Sequence, residues 1–200
     1  MKSFLLALQF LTILPVGASF PHGKSGQGGI PAIKNEDFGR SLLYFPLVGC
    51  LIGSFLALVA AFFSFLPNPV MATLVLIASI FITGGIHIDG FSDTCDGFYG
   101  RNPKEKILEV MRDSRAGAMG VIGIASVLLL KFALFTAMPK AVFWKSLIMM
   151  SVFARWSQVL ACFSSKYARG EGKARYFIEY AGKKEFILGG LFTIAVFLSL

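Results

Sequence analysis

Apolar residues in this chain come in long blocks separated by short basic segments, the pattern of helices that cross a bilayer rather than helices with one wet face. Leu42 to Leu66 is apolar except for Ser and Tyr, and Val70 to Ile86 carries no charge; each approaches the roughly 20 residues needed to traverse a hydrocarbon core. The pattern predicts spans at about 3–16, 41–66, 70–88, 117–138, 141–163 and 186–200. The first starts at Lys2 and runs from Phe4 to Val16. Leu14-Pro15-Val16 is poor cleavage chemistry for an export signal, so this segment is read as a short first helix. The expected fold class is all-α: a polytopic transmembrane helical bundle, one integral-membrane domain over 1–200, with no internal repeat and with cytoplasmic loops carrying the chemistry.

Composition supports that reading. The chain is 56% hydrophobic and 15% charged with mean hydropathy +0.71, against about 45–50% apolar and about 25% charged for soluble domains. The excess must face lipid. The formal charge of +8 is then a matter of topology, and no nucleic-acid partner is expected. Segments 17–40, 89–116 and 164–185 hold fourteen of the nineteen Lys and Arg, whereas the alternate connections 67–69 and 139–140 hold only Lys140. Basic loops stay on the cytoplasmic side, so all three are expected there, in a multi-pass protein of the cytoplasmic (inner) membrane. The bilayer is the expected partner, and a homo-oligomer stays open. Cys50, Cys95 and Cys162 are isolated and read as small apolar fillers.

Two loop motifs can be weighed directly. Gly23-Lys24-Ser25 tempts a phosphate-loop reading, but the spacing needs glycine at position 18, where Ala18 stands, and a strand in front, where Pro15 and Phe20-Pro21 stand. A flexible Gly/Ser loop fits better. Farther on, Asn102 can cap a short helix with Pro103 at its first position and Glu105 completing a capping box. Ile107, Leu108, Val110 and Met111 would form its apolar face, opposite Lys104, Lys106, Glu109 and Arg112.

The candidate chemistry is concentrated in Gly84 to Gly100. Asp89, Asp93 and Asp96 are spaced i, i+4, i+7, which at about 3.6 residues per turn places them within about 60° of arc on one helix face. Three carboxylates beside an apolar span repel one another and resist desolvation. A divalent cation relieves both, and hard oxygen donors suit Mg²⁺, which takes a few carboxylates together with substrate phosphates. The alternating Asp/Asn pattern of a calcium loop is absent. Gly90 and Gly97 remove side-chain bulk where a ligand could approach. His87 lies on the other side of the helix and is a weaker ligand candidate, though it stays among the catalytic candidates.

Met111-Arg112-Asp113-Ser114-Arg115-Ala116-Gly117 follows at the mouth of the next span. Arginine binds phosphate oxygens through a planar fork. Membrane anchoring explains Arg112 and Arg115 singly but leaves Asp113 without a role. An Asp cluster with an Arg pair is the constellation expected for phosphoryl transfer, with Ser114 adding a hydroxyl. Arg155 lies well inside a predicted span, should face the bundle interior and is counted among the substrate-binding candidates.

These residues resemble the cobalamin synthase family, the adenosylcobinamide-GDP ribazoletransferases. Its G-G-x-H-x-D-G-x-x-D-x-x-D-G run is similar to Gly84 to Gly97, and its M-R-D-S-R-x-G-A-x-G run to Met111 to Gly120. The resemblance continues through Phe10-Leu11-Thr12, Tyr44 to Gly49, Arg155-Trp156 and Tyr167 to Gly172, which brings Arg169 into the substrate-binding set. It implies a transferase joining adenosylcobinamide-GDP to α-ribazole or α-ribazole 5′-phosphate with release of GMP, the last assembly step of cobalamin biosynthesis. Family members usually run longer, with a further hydrophobic region and a T-G-D-x-x-G-A segment. This chain is therefore expected to be truncated at its C-terminal end relative to them.

The nearest alternatives are other membrane diphosphate transferases. The CDP-alcohol phosphotransferase pattern needs Ala-Arg shortly after Asp-Gly, where Asp89-Gly90 is followed by Phe91-Ser92-Asp93; the prenyltransferase pattern lacks its Asn. A cation transporter would account for the Asp residues but not for the Arg-rich segment, and the matching broken-helix halves it would need are missing.

Overall fold

The computed structural model describes residues 2–16, 34–100, 102–113, 115–169, 172 and 174–200. Gly23-Lys24-Ser25 and Ser114 lie outside the described residues. Among these the chain is helical, with no strand. They fall into two compact units, residues 1–58 with 144–200, and residues 59–143.

The first unit begins with α1, Lys2–Leu11. Ten residues rise only about 15 Å, half of a hydrocarbon core of about 30 Å, so the span expected over 3–16 is not formed. The helix ends where Thr12 Oγ1 donates to the Leu8 carbonyl at 2.6 Å and Leu14 N–H turns back onto that hydroxyl, just before Pro15. α2, Asn35–Ser41, follows. Its start is fixed by Asp37, whose carboxylate accepts from Lys34 N–H at 2.9 Å. A single 3-10 turn, Leu42–Tyr44, leads into α3, Phe45–Phe62. The tightening has a covalent cause. Pro46 has no N–H to give Leu42, and Phe45 N–H bonds the Leu42 carbonyl instead. Together Asn35–Phe62 is long and apolar enough to cross a membrane.

α8, Lys140–Ser164, is a second such helix, within a residue of its expected bounds. Its 144–164 part packs on α3 backbone to backbone. A Cβ on Gly53 would stand 2.5 Å from Ile148 Cα, and one on Gly49 2.6 Å from the Ser151 carbonyl. Small residues four apart let two spans approach this closely. α9, Arg175–Glu179, and α10, Lys183–Ser199, complete the unit. Phe177 of α9 is buried against Phe10, Phe38 and Phe45, with ring centroids 4.6, 5.2 and 5.7 Å away. This aromatic cluster ties α9 to the first two helices.

The second unit is built on α4, Asn68–Ile82; α5, Ile86–Tyr99; α6, Lys104–Val110; and α7, Ala118–Ala137. α7 is the third helix able to cross a membrane, and in its most apolar stretch only 11% of residues are buried. Val121, Ile122, Leu129, Leu130 and Leu134 point outward, as lipid contact requires. The span expected over 70–88 is interrupted. α4 stops at Ile82, and α5 leaves at 88° to it. The corner is a glycine pair: Gly84 at φ 61° and Gly85 at φ 69° are both left-handed, with Gly85 N–H on the Ile80 carbonyl and Gly84 N–H on Phe81, each at 3.0 Å. This double bond pattern closes a helix C-terminus, and only glycine takes two such residues in succession cheaply.

α6 starts one residue later than its sequence suggests. Pro103 occupies the cap position in extended conformation, and no side chain caps the helix, so Asn102 does not serve as its N-cap. The predicted apolar face is present, with Ile107, Leu108, Val110 and Met111 half-buried.

Candidate active site

The site is best built from the contact between α5 and α7. Asp96, half-buried on α5, spends both carboxylate oxygens on the start of α7: Gly117 N–H donates to Oδ2 and Gly120 N–H to Oδ1, each at 2.8 Å. No residue of α7 supplies a side-chain cap, so the cap comes from another helix. The unpaired amides and positive end of α7 stabilise the carboxylate, and the carboxylate satisfies the amides. Only glycines permit the approach. A Cβ on Gly117 would stand 2.4 Å from Asp96 Oδ1, and one on Gly120 2.4 Å from Oδ2 and 2.3 Å from Ser92 Oγ. One turn on, Gly123 faces Cys95 and Phe91 at 2.6 and 3.3 Å, so the seam continues along α7.

Gly97, next to this clasp, is buried beneath α6. Its open face is filled by Met111 Cγ at 3.0 Å and Ile107 Cγ2 at 3.2 Å, which gives it a packing role rather than an opening for a ligand. Gly90 differs: among the described residues nothing lies within 4 Å of where its side chain would start. The face of α5 toward its N-terminal half, with Asp89 exposed and Asp93 half-buried, is therefore the accessible part of the acidic segment. His87 is half-buried at the second residue of α5, immediately after the glycine corner.

The Arg-bearing segment hangs between two anchors on the same helix. α6 and Met111 fix its start on Gly97, and Asp96 fixes its end at Gly117. Within it Arg112 is exposed. Asp113 receives Arg115 as a fork, with Nη2 on Oδ2 at 2.7 Å and Nε on Oδ1 at 3.0 Å, and Arg115 N–H also reaches Oδ1 at 3.1 Å. Hydrogen bonds from Arg115 hold the Asp113 carboxyl down at about 2, and the same pairing raises the Arg115 pKa. Asp113 thus orients Arg115 while leaving its side chain 88% exposed. Arg155 and Arg169 belong to the first unit; Arg155 is buried on α8, and Arg169 is half-buried in the chain that follows it.

The donor set can be tested against Mg²⁺. Among the described residues no group of three or more His, Cys, Asp or Glu side chains is placed to hold a metal ion. Asp96 is committed to two backbone amides. Asp89 and Asp93, one turn apart beside an open glycine, fit an ion that takes one or two carboxylates and completes its shell with water and substrate phosphates.

Sequence reasoning missed Gly117 and Gly120 as hydrogen-bond donors and the Gly84–Gly85 corner as the element that redirects α5. The signal for the first was a pair of glycines three apart at the start of an apolar helix that has no cap of its own.

A family model described as cobalamin-5-phosphate synthase matches residues 3–200. The chain is similar to proteins named adenosylcobinamide-GDP ribazoletransferase. It is 38% identical to that of Clostridium acetobutylicum over 99% of this chain and 75% of the relative. It is 38% identical to that of Geotalea daltonii over 97% and 74%, and 36% identical to that of Acetivibrio thermocellus over 98% and 75%. No solved structure matches. The glycine corner, the acidic helix and the Arg-bearing segment all lie inside the matched region, and the chain belongs to the cobalamin-5-phosphate synthase family.

Proposed function

We propose that this chain is a multi-pass membrane transferase that joins adenosylcobinamide-GDP to α-ribazole or its 5′-phosphate and releases GMP. Family membership supports the reaction. The observation that carries the site is the double anchoring, by Met111 on Gly97 and Gly117 on Asp96, which ties both ends of the Arg-bearing stretch to the helix that carries Asp89 and Asp93. A ribose hydroxyl of α-ribazole attacks the phosphorus next to the cobinamide; the new P–O bond forms as the bond to the GMP oxygen breaks, and the hydroxyl proton passes to a base. Arg112 and Arg115 hold phosphate oxygens whose charge rises during this displacement. Asp113 keeps Arg115 in register. Asp89 and Asp93 hold Mg²⁺, which when bound neutralises the diphosphate. Gly90 leaves room beside them, and His87 flanks the corner behind them.

The decisive experiment measures GMP release from adenosylcobinamide-GDP and α-ribazole by the purified chain in detergent, with and without Mg²⁺. Release that requires both substrates and the metal is expected; release indifferent to Mg²⁺ removes the metal, and none under any condition removes the reaction. With the bent α4–α5 pair crossing as a fourth span, the basic segments, and the site with them, face the cytoplasm across the inner membrane, as the Lys and Arg bias argues. Cysteines at positions 106 and 166 should react with an impermeant thiol reagent only from that side in oriented vesicles. Labelling from the outer side would reverse the orientation.

A further inference from the structure

The first unit holds a charge that the acidic helix does not explain. Arg155 lies on α8 nine residues before Ser164, about 13 Å along the helix from its end, in a stretch apolar enough to cross a membrane. An arginine that merely anchors a span sends its guanidinium out to the interface. Arg155 does not: only 6% of the residue is exposed, and its Nε is buried without a hydrogen-bond partner among the described residues. Its stem is pinned beneath α3, where a Cβ on Gly49 would stand 3.0 Å from Arg155 Cγ and 2.9 Å from Val152 Cα. The backbone contact between the two helices therefore fixes where the guanidinium goes. Ser151, one turn earlier on α8, is also buried, at 5% exposure.

We propose that Arg155, held between α3 and α8 under Gly49, is the receptor of a phosphate-type oxyanion. A guanidinium has five donors and no acceptor, so what completes it must accept hydrogen bonds; it stays charged at any working pH, so the acceptor is anionic; its planar fork matches two oxygens of one phosphate. The inference stands on burial and geometry and is independent of the transferase reading. The same chemistry is offered by a soluble phosphate ester and by a phospholipid headgroup, and the test separates them.

The 200-residue chain in maltoside micelles is unfolded thermally in potassium phosphate and in potassium chloride of matched ionic strength. Wild type should gain roughly 5 °C at about a hundredfold excess of phosphate over its dissociation constant. Arg155→Met, of similar length but apolar, should unfold in chloride at or above the wild-type temperature and lose at least half of the phosphate gain. An Arg112→Gln, Arg115→Gln double variant should retain the Arg155 share. Equal gains in wild type and Arg155→Met, or no gain in wild type, overturn the proposal. Should Arg155→Met not fold, Arg155→Lys decides, because a point charge without the fork should show a smaller gain and an undiminished one counts against the site. Phospholipid added to the micelles abolishes the response to inorganic phosphate if a headgroup is the occupant, and leaves it in place if a soluble anion is.

Discussion

Gly120→Ala adds one methyl group at the tightest point between α5 and α7. Its carbon would stand 2.3 Å from Ser92 Oγ and 2.4 Å from Asp96 Oδ2, where ordinary contact begins near 3.4 Å, an overlap of about 1 Å. One relief swings the carboxylate away and breaks its bond from Gly120 N–H, a charge-assisted bond of about 1.5–3 kcal/mol. The other withdraws α7 from α5, an overpacking cost of about 1–3 kcal/mol. Both relieve the same clash, so the smaller governs and the two do not add. Alanine returns up to about 1 kcal/mol of helix propensity, leaving a net loss centred on about 1 kcal/mol and ranging from about 0 to 2. For a chain of this size the central value lowers the unfolding midpoint by roughly 2–4 °C, followed by circular dichroism in detergent micelles. Gly90→Ala is the internal control: its methyl meets nothing within 4 Å among the described residues, so the same propensity gain appears unopposed. Turnover should fall in both variants, through lost positioning in the first and through an obstructed approach beside Asp89 in the second. A Gly120→Ala protein that melts above wild type refutes the clasp.

Asp89→Asn and Asp93→Asn keep shape and remove charge. Each should lower turnover on the order of 10²-fold, and near-normal rates in both would eliminate the paired-carboxylate site. The Asp113 carboxyl is lowered from 3.8 to about 2 by its bonds from Arg115, so the pairing is fully present above pH 3.8 and is lost only as pH falls toward 2. Asp113→Asn should therefore reduce kcat/KM by a factor that does not vary between about pH 5 and 9. A defect that fades across that range would mean that another titrating group sets it.

The helices at 118–137 and 140–164 were legible because predominantly apolar runs of that length have one economical solution in a bilayer. The break at Gly84–Gly85 was written in the same letters as the approach glycines, and hydropathy is blind to φ; what distinguishes the corner is two left-handed residues bonded back to Ile80 and Phe81. The first helix was overextended for a similar reason, since apolarity continues through Ile13 and Leu14 although Thr12 and Pro15 have already ended the hydrogen-bond ladder. The three aspartates were correctly placed on one face by periodicity. Periodicity could not separate them, because the partner of Asp96 lies twenty-one positions away and only the packing of α7 brings it near. Gly97 was indistinguishable from Gly90 in sequence and is distinguished by what fills the space above it.

The clasp also makes everything between Asp96 and Gly117 a closed excursion, a chain that leaves α5 and returns to the place it left. Such an excursion is tolerant of length. Doubling a closed loop costs only about 0.6 kcal/mol in chain entropy, because its ends are already held by bonds that do not depend on its contents. A short epitope or fluorescent tag spliced between Gly100 and Pro103 would thus ride on the protein without loosening the frame. For a protein built mainly of apolar helices, this is the place to attach a handle.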